Sequence, residues 1–112
     1  MTVSFNPQIV SAKIMTMWNQ ILPQLTHEIL EDAQQYVKVG TTGILRASAE
    51  IASEPASGNI IWQTPYAKRQ YWDIQTAYHD YNSLATWRWF ETTKQNHMAR
   101  WTAQAQRLFD AL

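Results

Sequence analysis

Cysteine is absent from the 112 residues. That excludes a disulfide scaffold, a thiolate zinc site, an iron–sulfur cluster and a cysteine nucleophile together. Glycine and proline are scarce, at 3 and 4, so few positions are open to sharp turns. Charge is sparse too: 16% of residues are charged, and 9 Lys+Arg balance 9 Asp+Glu. A zero balance argues against a strongly basic nucleic-acid binder, because phosphate binding needs a cationic surface. No run of about 18 apolar residues occurs, so no membrane span is expected. The first residues, Met1 to Pro7, lack a basic stretch and an apolar core, so no signal peptide is expected and synthesis reads as cytosolic.

Aromatic residues are plentiful: 6 Trp, 5 Tyr and 3 Phe. The apolar share of 46% suits a single globular domain over residues 1–112, with one core. Charge falls in small blocks. Glu28, Glu31 and Asp32 outweigh Lys13, and Lys38, Arg46, Lys68 and Arg69 outweigh Glu50 and Glu54. Asp73 and Asp80 stand alone, and Arg88, Lys94, Arg100 and Arg107 outweigh Glu91 and Asp110. Blocks of alternating sign suit association between complementary surfaces.

Val10, Ile14, Met17, Ile21, Leu25 and Ile29 recur at helical spacing, and Ala33 and Tyr36 continue the stripe. Pro23 removes a backbone donor, so the spacing predicts two helices, about 8–21 and 23–37, or one kinked helix. Gly40-Thr41-Thr42-Gly43 marks a turn, with Gly43 expected at positive φ. Leu45, Ala47, Ala49 and Ile51 then alternate with Arg46, Ser48 and Glu50, which predicts a half-buried strand. Ile60 to Thr64 predicts a second strand, and the two form an expected antiparallel hairpin. Tyr66 to Tyr71 is compatible with strand or short helix. Residues 73–85 show neither period and are expected to form a long loop. Thr86 is the expected N-cap of a last helix. Its stripe runs through Phe90, Lys94, His97, Trp101, Ala105, Leu108 and Leu112, expected to pack on the hairpin, with Trp101 and Leu108 in the core. The fold class is therefore α+β: an N-terminal helical unit, a small antiparallel sheet, a long loop and a C-terminal helix on the sheet.

Chemistry is hard to find. His27, His79 and His97 are scattered, and the pair His79-Asp80 is too small for a metal site. Glu28, Glu31 and Asp32 read as a solvated helix face. Ser48 and Ser57 lack a nucleophile-elbow context, and the glycine turn lacks the ending of a phosphate loop. No catalytic, cofactor-binding or metal-binding residue is nominated, and the chain reads as a non-enzyme. The aromatics divide. Trp18, Trp62 and Trp101 fall on core stripes. Trp72, Tyr78, Tyr81, Trp87 and Trp89 crowd the loop and the start of the last helix, where Trp87 and Trp89 cannot both face inward. With Arg69 and Arg88 they are the candidate interface residues. The alternative is a small aromatic-rich module binding a ligand or nucleic acid, or, less in keeping with the residues, a small hydrolase using His79-Asp80.

Four segments occur in a recognisable order. They are Thr42-Gly43-Ile44-Leu45-Arg46-Ala47-Ser48, the run Ile61-Trp62-Gln63-Thr64-Pro65-Tyr66-Ala67-Lys68-Arg69-Gln70-Tyr71, then Arg88-Trp89-Phe90-Glu91, and His97-Met98-Ala99-Arg100-Trp101. From about Tyr36 to Leu108 the chain resembles the minor capsid protein family of tailed bacteriophages, of the head–tail connector and tail-completion type. It departs from the family pattern before Gly43, where Val39 replaces a proline and Thr41 an aspartate. The resemblance implies a virion protein at the neck, assembled as a homo-oligomeric ring. It also implies neighbouring neck and tail proteins as partners, and assembly in the host cytoplasm. No membrane and no sequence-specific nucleic acid is expected as a partner.

Overall fold

Helices dominate the described residues. The computed structural model describes residues 1–4, 12–39, 43–72 and 84–112. In chain order come β1 (Thr2–Ser4), α1 (Ala12–Gln34), α2 (Ile44–Ala52), a single 3₁₀ turn (Pro55–Ser57), β2 (Asn59–Ile61), α3 (Ala67–Trp72) and α4 (Trp89–Asp110). The expected long loop lies almost wholly at 73–83, outside the described residues.

The α+β class holds, with a small antiparallel sheet and a C-terminal helix. The predicted hairpin does not. The segment expected as its first strand is α2. Leu45 and Ala49 are its buried residues, and a spacing of four satisfies both a strand's period of two and a helix's period near 3.6. Propensity decides between them. Leu45, Arg46, Ala47, Ala49, Glu50 and Ala52 are all strong helix formers. Ile51, expected inside, is 85% exposed.

β2 instead pairs antiparallel with β1, matching Thr2 with Ile61, Val3 with Ile60 and Ser4 with Asn59. Beyond the ladder the Trp62 amide donates to the Met1 carbonyl at 3.0 Å. The Met1 ammonium donates back to the Trp62 carbonyl at 3.1 Å. On the other side, where the hairpin needed a strand, serines in α2 and at its C-cap supply the acceptors. The Ile61 amide donates to Ser53 Oγ at 2.9 Å and the Gln63 amide to Ser48 Oγ at 3.1 Å.

α1 is one continuous helix with Pro23 inside it, ending at Gln34 rather than near 37. Ile21, Leu22, Leu25, Ile29, Leu30 and Ala33 are buried along one side. α4 runs antiparallel along this side and takes α1 as its chief partner. Trp18 stacks on Phe109 at 5.5 Å, Gln104 donates to Glu28 at 3.3 Å, and Tyr36 meets His97 at 3.1 Å. Trp101 is buried, as the stripe predicts, and Leu108 packs half-buried beside it; Lys94 is exposed.

Two charged residues are buried against expectation. Asp32, read as part of a solvated face, is 8% exposed. It accepts from Trp101 Nε1 at 2.7 Å and pairs with Arg100. Lys38 is 3% exposed and donates to the Gln70 carbonyl, tying the chain after α1 to α3. Gln34 at the end of α1 accepts from Trp62 Nε1 at 3.2 Å and donates to the Arg46 carbonyl at 2.8 Å. Its partners lie 12 and 28 residues away, a joint between three elements that no local pattern marks.

Candidate interaction surface

The turn Thr64-Pro65-Tyr66 starts α3, and the Ala67 amide donates to the Thr64 carbonyl at 3.1 Å. Six residues then divide by helical spacing. Ala67 and Tyr71, four apart, are buried; Lys68, Arg69 and Trp72 are exposed. Trp72 shows 55% of its surface.

The start of α4 closes over α3. The Arg88 amide donates to the Tyr71 carbonyl. Arg88 is the N-cap and sits at φ 48°, ψ 47°, among the described residues the only non-glycine with positive φ. No side chain caps the helix there. Thr86, the expected cap, donates its hydroxyl to the Trp87 carbonyl at 3.2 Å, and its amide to the Tyr36 carbonyl at 3.1 Å. A left-handed conformation is costly for a long side chain, so tertiary contacts must hold it. They are visible. The Arg88 guanidinium lies 5.6 Å from the ring centroids of both Trp72 and Trp87. Its Nε is buried without a hydrogen-bond partner, and the two π faces are what this cation meets instead. A cleft of about 150 Å³ opens beside it, lined by Trp87, Arg88, Glu91, Thr92 and Gln95.

An aromatic chain ties this surface to the core. Tyr71 meets Trp72 edge-on at 5.1 Å and Trp89 at 4.8 Å, and Trp89 meets Trp62 at 5.5 Å. Burial pushes the Tyr71 phenol above its ordinary pKa and the Glu91 carboxylate adds to this, so it stays neutral in the packed cluster.

The nominated residues therefore fall in three places. Arg69, Trp72, Trp87 and Arg88 share the α3–α4 surface, the first two exposed and the others half-buried. Trp89 has no exposed area; it is core, supporting the surface from beneath. Tyr78 and Tyr81 lie outside the described residues, as do His79 and Asp80. Among the described residues no three His, Cys, Asp or Glu side chains converge on one point. The other histidines are otherwise engaged: His27 faces Glu31 at 3.0 Å across one helical turn, and His97 stacks on Trp101 at 6.2 Å.

A surface of rigid aromatics around a held cation is suited to recognising protein. The model of the family described as minor capsid protein matches residues 6–108. This chain belongs to the minor capsid protein family. Its role is structural, within the bacteriophage virion. The match extends beyond the four sequence segments to include α1. No curated protein and no solved structure matches it.

Proposed function

We infer that this minor capsid protein acts at the head–tail junction, as a neck or tail-completion component that joins the capsid connector to the tail. Copies assemble as a ring in the host cytoplasm and meet neighbouring neck and tail proteins there. The chain does no catalysis; its work is assembly. The observation that carries this reading is the α3–α4 surface. Trp72 stands 55% exposed beside Arg69, and Arg88 is held at positive φ between Trp72 and Trp87. Strained backbone and exposed aromatics next to cations are costly in a free monomer and are rewarded when a partner covers them. The acidic block at Asp73 and Asp80 supplies charge of the opposite sign for a neighbouring copy's Lys68 and Arg69.

The test is particle assembly. Trp72→Ala and Arg69→Ala change exposed side chains, so both should stay folded by near-ultraviolet circular dichroism. Electron microscopy of lysates should then show heads and tails made but unjoined. Normal joining by both folded variants would remove this surface from the junction.

A further inference from the structure

The α3–α4 surface holds a cation that no carboxylate of the chain meets. We propose that Arg88 receives a carboxylate from the protein that docks there, so that the partner presents an acidic side chain to the cleft beside Trp87. The proposal rests on the reading of this surface as a contact, and it names the chemistry of what meets it.

Among the described residues the Arg88 guanidinium makes no ion pair and no hydrogen bond. Glu91 is three residues on and lines the same cleft, yet its carboxylate lies 3.8 Å from Lys94. Of the guanidinium nitrogens Nε is shut off from solvent, while the Nη fork keeps access to it. Trp72 and Trp87 flank the group, each ring centroid 5.6 Å away. The indoles answer the charge, but they leave the planar N–H fork without the paired oxygens it fits. The cleft of about 150 Å³ adds two neutral donors, the Thr92 hydroxyl and the Gln95 amide. Neither side chain is hydrogen-bonded within the chain among the described residues. The backbone points the same way. Arg88 sits at φ 48°, a conformation suited to glycine or asparagine, and beyond the two indole contacts the fold gains nothing from a cation there.

The carboxylate comes from a protein rather than a phosphate from a nucleic acid. A phosphate backbone would set further negative charge against Glu91, and 9 Lys+Arg against 9 Asp+Glu give no broad cationic field to draw a polyanion. A single carboxylate needs only the local fork. Lys68 and Arg69, exposed on α3 and outside any ion pair among the described residues, steer the acidic segment from the rim.

The probe is a capped tetraglutamate peptide, with capped tetraglutamine as its control, titrated at low salt into isotope-labelled full chain up to about 10 mM, the range where one charged contact binds. The NMR signal of the Arg88 Nε–H group reports the site, and tryptophan fluorescence the affinity. Tetraglutamate should move that signal saturably and tetraglutamine should not. Arg88→Asn keeps a residue that tolerates the left-handed backbone and should bind tetraglutamate roughly tenfold more weakly. Arg88→Lys keeps the charge but loses the fork, and should bind about fivefold more weakly. An Arg88 signal that does not move, an equal response to tetraglutamine, or native affinity in Arg88→Asn or Arg88→Lys would each overturn the proposal. Tighter binding of oligothymidylate at the same signal would overturn it in favour of nucleic acid. The native-chain signal decides even where a variant melts early. No heads or tails enter this titration. A silent Arg88 with unjoined particles from Trp72→Ala removes this proposal alone, and a responsive Arg88 with normal joining removes the junction reading alone.

Discussion

Single residues in this chain are held by contacts of two kinds, local and distant, and only the local kind is visible in sequence. Gly43 is local. It sits at φ 68°, ψ 13°, with its amide donating to Val39 and its carbonyl accepting from Ala47. A Cβ built there would meet nothing within 4 Å, so replacement costs backbone strain alone. Gly43→Ala should lower stability by about 1 kcal/mol in chemical denaturation, and Gly43→Asn by less, because asparagine tolerates the left-handed region. Equal stability of Gly43→Ala and the native chain would mean that the turn relaxes to negative φ. Lys38 and Asp32 are the distant kind. Their partners Gln70 and Arg100 are 32 and 68 residues away. Either residue alone reads as a solvated charge, which is why the burial of both contradicts composition-level expectation.

At the scale of elements, α2 shows where pattern and propensity part. Leu45 and Ala49 fit either period, so only the remaining residues could decide, and they are helix formers. The consequence reaches the sheet. With a helix in place of a strand, the amides of Ile61 and Gln63 lose the strand that would have accepted them, and serine hydroxyls take over. Ser53→Ala would leave the Ile61 amide without its acceptor in a half-buried place and should cost about 1–2 kcal/mol by thermal melting. A change under about 0.3 kcal/mol would show that water replaces the hydroxyl freely. The two long helices were legible because their stripes run for many turns. Of the candidate surface, the exposed Trp72 and Arg69 were legible as a crowd of aromatics and charge near a turn. The left-handed Arg88 was not, since nothing about arginine marks positive φ; it follows from Tyr71, Trp72 and Trp87 closing around it.

Over the whole molecule, stability rests on the long seam between α1 and α4, and its one buried carboxylate makes that seam sensitive to acid. Burial raises the pKa of Asp32, but hydrogen bonds from Arg100 and Trp101, with the Arg100 charge, outweigh it and hold the group below its ordinary 3.8. A carboxyl whose folded pKa is depressed adds stability that is fully present above its unfolded value. That stability is lost as pH falls through the folded one. The native chain should therefore hold its Asp32 contribution at neutral pH and lose it progressively below 3.8. Asp32→Ala removes the acceptor of the buried Trp101 indole and should cost about 1–3 kcal/mol at pH 7. Because the variant has no carboxyl to protonate there, the gap between its stability and that of the native chain should narrow as pH falls. Urea titrations of both proteins from neutral to acid pH measure that gap directly. A gap that stays constant to the lowest pH would mean that Asp32 acts only as a neutral acceptor for Trp101, and that the charge on Arg100 contributes nothing to the joining of α1 and α4.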